Sequence, residues 1–476
     1  MALLPFRRKK DSDFDLIVLG GGSAAFAAAI RAAEMEASVA IAEEGVIGGT
    51  CVNRGCLPTK NLLYAAERYH LYSHNSFPGL PAGKELVRFH EVIGQKDALV
   101  EEMRQHKYWD ILKAYPTIKY YPHKARFLSP HEVRIGEEVL RAEKFIIATG
   151  ASPAPLPIPG LNEIPLLTYK EALELSELPT SLLVIGGGPI GLELGQMFSR
   201  FGSRVTILEM MPHIAPLEEE EISQTLEQAL SEEGMRILTS VRVLRAQKEN
   251  GSCRLVAEIE GRPKEFSAER VLLAAGLKPN TADLNLEAAG VKTDSKGAVV
   301  VDEQLRTSAP HVWAVGDVIG RMMLVTVAAY QGGIAAENAL RGKKEKMDYT
   351  AIPHAIFTSP QVASVGLKER EAREKGFRVE TTTLPFELVP KAGAIRDTRG
   401  VFKMVVDSST YRILGVHIVA PDAADLIHLG TLAIRHKLTV GDLIRMVFVY
   451  PTMTEVYKIA ALSFKKDVTK LSCCAA

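Results

Sequence analysis

Five cysteines occur among 476 residues, and four of them come in pairs. Cys51 and Cys56 lie five apart in Gly48-Gly-Thr-Cys-Val-Asn-Arg-Gly-Cys-Leu-Pro-Thr-Lys60, Cys473 and Cys474 are adjacent near the C-terminus, and Cys253 stands alone. This is too few and too uneven for a disulfide framework. In a reducing compartment, paired cysteines point to redox chemistry or to metal capture. Along a straight helix five residues rise about 7.5 Å, more than the roughly 6.8 Å between Cα atoms that a disulfide tolerates. The helix must therefore begin irregularly at this pair, as Gly55 and Pro58 suggest. A place near a helix N-terminus also favours thiolate. Cys253, in the alternating stretch 253–260, is expected to be structural, and none of the 12 histidines shows ligand spacing.

Two further motifs say what surrounds the cysteines. Residues 15–19 read as a buried strand, followed by Gly20-Gly-Gly-Ser-Ala-Ala25, an alanine-rich helix to Ala33, and a second strand, 38–42, that ends at Glu43. Residues 181–185, Gly186-Gly-Gly-Pro-Ile-Gly191, a helix to Phe201 and a strand 204–208 ending at Glu209 repeat the unit with the same spacing. Each is a βαβ dinucleotide fingerprint. Gly20, Gly22 and Ala25, like Gly186, Gly188 and Gly191, permit a tight turn and close approach to a pyrophosphate at the helix N-terminus. The acid is placed to accept ribose hydroxyls. Two such units imply two dinucleotides, usually a flavin and a nicotinamide. Residues 307–317 read as a strand ending in Gly316-Asp317, with Asp317 facing the ribityl chain. Ala148-Thr149-Gly150 reads as a strand-end turn before a proline-rich linker.

The fold expected is α/β: two Rossmann-like dinucleotide-binding domains, for FAD (1–150 and 280–348) and NAD(P) (151–279), followed by a C-terminal α+β domain (349–476), whose role as a dimerisation domain is implied only by family resemblance. Composition agrees with an ordinary enzyme, at 47% hydrophobic and 24% charged residues. The 57 basic and 57 acidic residues cancel, and no basic block argues for nucleic acid. No stretch reaches the length of a membrane span, and the N-terminal charges follow rather than precede the apolar residues of a secretory signal. The expected location is cytoplasmic.

The Cys-x4-Cys motif, both glycine loops and the Gly-Asp strand together resemble the pyridine nucleotide-disulfide oxidoreductases, from about Asp15 to the end of the chain. The resemblance implies a flavoprotein homodimer with a redox-active Cys51–Cys56 pair, Cys56 facing the flavin and Cys51 exchanging with substrate, and a Lys60–Glu193 ion pair beside the flavin ring. It places FAD along Gly20, Gly22, Ala24, Ala25, Glu43, Gly49, Thr50, Lys60, Ala125, Thr149, Gly150, Asp317 and Val325. It places NADH or NADPH along Gly186, Gly188, Gly191, Glu209 and Gly276. Glu209, with no arginine after it, weakly favours NADH.

Within that family, disulfide reductases carry His-x4-Glu near the C-terminus, and here the stretch is Tyr450-Pro-Thr-Met-Thr-Glu455. Tyrosine, with an ordinary pKa near 10, is a poor base at neutral pH. The terminal Cys473-Cys474 suits capture of a soft metal ion. Both features resemble the mercuric reductase branch. They imply reduction of Hg(II) held by Cys51, Cys56, Cys473 and Cys474, with the site shared between subunits. The chain opens directly on the first βαβ unit and has no Cys-x-x-Cys, so mercury is expected to arrive on small thiols or another carrier. Pro189 stands where some members carry a second active-site tyrosine. The alternatives are a dihydrolipoamide- or glutathione-type disulfide reductase and a flavoprotein that only sequesters soft metal.

Overall fold

The computed structural model describes residues 12–83, 85–249 and 251–472. The chain divides into two compact units, each assembled from three stretches of sequence.

The first unit comprises residues 1–59, 93–155 and 276–348. Its sheet is built on strand Phe14–Leu19, flanked in parallel by Val39–Ala42 on one side and Glu138–Ile147 on the other. Ile118–Tyr121 and Val312–Ala314 extend it in parallel, and the antiparallel strands Glu132–Ile135 and Ala125–Ser129 complete it. Leu16 to Leu19 are wholly buried, as expected for a central parallel strand covered on both faces. Helix α1 (Ser23–Ala33) packs against the long helix Val325–Arg341. The alanines of α1 let the two backbones come close. The strand expected over 307–317 is only Val312–Ala314. Gly316, at φ +75°, breaks it and opens a 3₁₀ turn, Gly316–Ile319.

Between the βαβ unit and the rest lie α2 (Gly49–Arg54) and α3 (Cys56–Ser73), separated by Gly55 at φ −132°, ψ −112°. The irregularity that the cysteine spacing demands is this break. Helix α4 (Phe89–Arg104) continues directly into a π-helical turn, Gln105–Trp109.

The second unit comprises residues 60–92, 156–275 and 349–476. One parallel sheet runs Arg236–Leu238, Arg204–Leu208, Ser181–Ile185, Arg270–Leu273, Leu166–Leu167. A three-stranded antiparallel meander covers residues 242–268. The C-terminal sheet is antiparallel and five-stranded: His354–Ile356, Gln361–Gly366, Arg412–Ala420, Val401–Asp407, Val379–Pro385. These layers are the expected α/β class with a C-terminal α+β part. Near the C-terminus a 3₁₀ turn, Met453–Glu455, leads into helix Val456–Ser463. No described helix is long and apolar enough to cross a membrane.

A polar row crosses the C-terminal sheet. Strand register aligns His354, Ser364, His417, Lys403 and Thr383 across all five strands. The acidic run that opens helix Glu220–Glu232 docks on it. Glu218 accepts from His354 Nε2 at 2.7 Å and Ser364 Oγ at 2.5 Å. Lys403 Nζ, 2% exposed, lies 3.0 Å from Glu221, 3.4 Å from Glu219 and 3.2 Å from Glu369. Burial would lower the Lys403 pKa, but hydrogen bonding and charge from these carboxylates raise it. Lys403→Met should leave the three carboxylates facing one another. The expected loss is about 3 kcal/mol, the low end for breaking a buried pair, because Glu221 keeps 43% exposure. Arg88→Ala, removing the exposed pair with Glu91, should cost under about 1 kcal/mol. Urea unfolding of both variants checks this; equal small losses would mean that solvent screens the Lys403 cluster.

Candidate active site

The two glycine loops adopt the same solution. Gly20 turns at φ +116° and Gly186 at φ +110°. A Cβ would lie 2.2 Å from Ala148 O at the first and 2.6 Å from Ala274 O at the second. Each turn thus abuts the end of the neighbouring parallel strand, where only glycine fits. The acids that follow are held alike. Glu43 accepts from Gly21 N and Gly45 N, both at 2.7 Å. Glu209 accepts from Gly187 N at 2.5 Å and Met211 N at 2.7 Å. Each carboxylate oxygen therefore spends one lone pair on its own loop and retains another for a ribose hydroxyl.

The loops leave room for a dinucleotide. A Cβ on Gly188 would meet nothing within 4 Å, and one on Gly22 only Gly49 Cα at 3.7 Å. Ala24 and Ala25 lie buried in the first turn of α1. Gly316 packs against the same turn, since its Cβ would sit 3.4 Å from Ala24 Cβ. Gly316 N–H is fixed by the fully buried Gln331, whose Oε1 accepts at 2.7 Å. Burial alone raises the Asp317 carboxyl above the usual range, as fits an acid whose polar partner is a ligand. Thr149 and Gly150 are tied to Asn280 by hydrogen bonds of 2.7, 2.9 and 3.0 Å. Ala125 starts its strand, and Val325 is the first residue of helix Val325–Arg341. These residues fit FAD.

The cysteine segment is docked on the first loop. Gly48 N–H donates to Gly21 O at 2.9 Å, and a Cβ on Gly49 would come 2.6 Å from Gly22 Cα. Gly48 and Gly49 both have left-handed φ, +96° and +64°. Thr50 is exposed, and Cys51 and Cys56 are half-buried. The ring of Tyr108 fills the space beside Gly48 and meets Phe26 edge-on at 4.8 Å. Burial raises the Tyr108 hydroxyl pKa despite a hydrogen bond with Ser23, and the charges of Cys51 and Cys56 add to the rise.

In the second unit, Lys60 Nζ lies 2.8 Å from Glu193 Oε2, with Glu193 nearly buried. The other oxygen of Glu193 accepts from Phe357 N at 2.9 Å, and the ammonium sits 4.6 Å from the Phe357 ring centroid. Gln196, one turn on, accepts from Ser359 N at 2.8 Å and donates to Ser359 O at 2.7 Å. One face of helix Pro189–Phe201 therefore fixes both the lysine and the segment 357–359. Gly191 is buried in this helix, and Gly276 turns at φ +125° at the edge of the first unit. Tyr450 is about half exposed, and Glu455 accepts from Thr452 N at 3.0 Å as a helix cap. Cys253 is fully buried, its Sγ 3.7 Å from Glu269 O, and burial raises its pKa. Cys473 and Cys474 lie outside the described residues. Among the described residues, no group of three or more His, Cys, Asp or Glu is arranged to hold a metal ion.

Several residues that shape the site carry no motif: Tyr108, Arg104, Gln331 and Phe357. Asn53 lies inside the cysteine motif, and its side chain is defined only by the fold.

Comparison with known proteins agrees with this geometry. The model of the "Pyridine nucleotide-disulphide oxidoreductase" family matches residues 14–332, and that of its dimerisation domain matches residues 352–461. The chain is 43% identical to a mercuric reductase of Staphylococcus aureus over 98% of its length and 85% of that protein's. It is 42% identical to one of Streptomyces lividans over 97% and 98%. Among solved structures, the HOCl-induced flavoprotein disulfide reductase RclA from Escherichia coli superposes with a TM-score of 0.85 at 31% identity, covering 95% of this chain and 100% of the other. The chain belongs to the pyridine nucleotide-disulphide oxidoreductase family and is an oxidoreductase that works with FAD and a nicotinamide dinucleotide.

Proposed function

We infer that the protein is a mercury(II) reductase, a cytoplasmic homodimer that uses NAD(P)H to reduce Hg(II) to volatile Hg(0) and so detoxifies mercury. The observation that carries this reading is the 42–43% identity to mercuric reductases along nearly the whole chain. The chemistry of Tyr450 supports it. Dithiol–disulfide exchange needs a base near neutral pH, and a half-exposed phenol does not supply one.

FAD, held along Gly20–Ala25, Glu43 and Asp317, supplies the path for two electrons from the nicotinamide. The chain's own residues handle the metal. Cys51 and Cys56, as thiolates, take Hg(II) from small-thiol complexes, one sulfur at a time. Each new Hg–S bond forms as a carrier Hg–S bond breaks, and the carrier leaves as its thiolate. Two electrons convert Hg(II) to Hg(0), which thiolate binds weakly, and the product leaves. Lys60, held by Glu193, places a positive charge one helical turn beyond Cys56. Tyr450 assists the metal by contact. Cys473 and Cys474 of the partner subunit receive the incoming mercury and pass it inward.

Cys51→Ala and Cys56→Ala should each abolish mercury-dependent NAD(P)H oxidation while the flavin stays bound. Tyr450→Phe should slow mercury reduction yet leave flavin reduction by nicotinamide unchanged. Near-normal turnover in either cysteine variant, in a steady-state assay with excess small thiol, would remove the pair from the mechanism. For delivery in trans, Cys51→Ala/Cys56→Ala and Cys473→Ala/Cys474→Ala subunits should partly restore activity when mixed. No recovery in demonstrated mixed dimers would contradict delivery in trans.

Glu209 sets the nicotinamide preference. Its carboxylate is 7% exposed and anchored by two backbone N–H groups, so it is a fixed negative charge where the ribose is read. It accepts from a 2′-hydroxyl and repels a 2′-phosphate. The expected result is a higher kcat/KM for NADH than for NADPH, with the difference narrowed in Glu209→Gln. A large NADPH advantage in the parent enzyme would overturn it.

A further inference from the structure

Cys51 sits in α2, a helix of six residues entered through two left-handed glycines and left through the break at Gly55. A helix this short has no stability of its own. Its shape is imposed by what it is tied to, and one side chain does most of the tying. The Asn53 amide nitrogen donates to Ile47 O at 2.9 Å and to Gly49 O at 2.8 Å, bridging the carbonyls on either side of Gly48. Its Oδ1 accepts from Arg104 Nε at 2.8 Å. Arg104 closes α4, and its Nη1 is held by Glu101 at 2.6 Å. All of these residues belong to the first unit.

We propose that Asn53 and Arg104 are positioning residues for Cys51: together they hold its backbone at the separation from Cys56 at which the two sulfurs form and break a bond. The inference rests on the reading of Cys51 and Cys56 as a redox pair. The physical demand is narrow, because a relaxed disulfide needs its Cα atoms within about 4.4–6.8 Å, and five residues of straight helix exceed that. The glycine pair and the Gly55 break make the approach possible. Asn53 selects it from the conformations those glycines permit, and Arg104 fixes the orientation of the amide. Neither side chain needs to touch substrate.

The test measures the thiol–disulfide equilibrium of the holoenzyme against dithiothreitol under nitrogen. Cys51 and Cys56 lose two protons and two electrons as their S–S bond forms. The S–S bond of oxidised dithiothreitol breaks and takes up both. Alkylation and peptide mass mapping give the fraction oxidised. Asn53→Ala should lower the equilibrium constant for the protein disulfide by about tenfold or more, and Arg104→Met by several-fold. Arg104→Gln is the discriminating variant. Its amide nitrogen follows Cδ, as Nε does in arginine, so it keeps a donor for Asn53 Oδ1 without the charge. It should stay within about twofold of the parent.

If Arg104→Gln falls as far as Arg104→Met, the guanidinium charge matters and the positioning proposal is overturned. If Arg104→Met and Asn53→Ala lower thermal stability with the equilibrium constant unchanged, the residues are merely structural and it is overturned as well. Should Asn53→Ala fail to fold, the two Arg104 variants still decide. Failure of the parent enzyme to form a Cys51–Cys56 bond at all would contradict the redox pair itself, a separate outcome.

Discussion

The contact on which the site depends is backbone against backbone. Gly48 N–H reaches Gly21 O, and Gly49 lies so close to Gly22 that a methyl group on Gly49 would come within 2.6 Å of Gly22 Cα and separate them. Through this contact the segment carrying Cys51 is set on the loop that opens α1, the same turn against which Gly316 packs. A side-chain contact could be rebuilt by another rotamer. Here the approach is set by the absence of side chains, so the cysteine segment can meet the first glycine loop directly. Tyr108 and Asn53 then occupy the space and the carbonyls that the glycines leave.

The second theme is acids used twice. Glu43 and Glu209 each close their own loop through two N–H groups, and each oxygen keeps acceptor capacity for a ligand hydroxyl. Hydrogen bonds to a charged group contribute about 1.5–3 kcal/mol apiece, so each acid stabilises the conformation it needs in order to bind. Glu193 works in the same way. One oxygen takes Lys60 and the other takes the backbone of Phe357, so the lysine ammonium is held in a fixed place. Each of the three carboxylates thus holds two groups at once.

Much of this was legible in the residues because it follows from short-range chemistry. Glycines at fixed offsets, an acid 23 residues on, and a cysteine spacing that forbids a straight helix state their structural demands directly. The break at Gly55 is the clearest case. What could not be read were partners brought together from afar. Arg104 meets Asn53 across 51 residues and Gln331 meets Gly316 across 15, and neither spacing carries a signal. The polar row His354–Ser364–His417–Lys403 has no trace in the sequence either, since it exists only once four strands are in register. The strand that runs toward Gly316-Asp317 is shorter than the apolar run suggests, because apolar residues such as Val315 serve a buried turn as well as a strand.

In the proposed function the cysteine pair presents a metal, rather than a disulfide, for reduction. The direct measurement is electron accounting: NAD(P)H oxidised against elemental mercury purged from solution and trapped, with Hg(II) supplied in excess small thiol. Lipoamide and oxidised glutathione serve as competing acceptors in parallel. A mercury(II) reductase should release one mercury atom per nicotinamide oxidised and turn over little with either disulfide. Brisk oxidation by a disulfide, or nicotinamide consumed without mercury vapour, would contradict it.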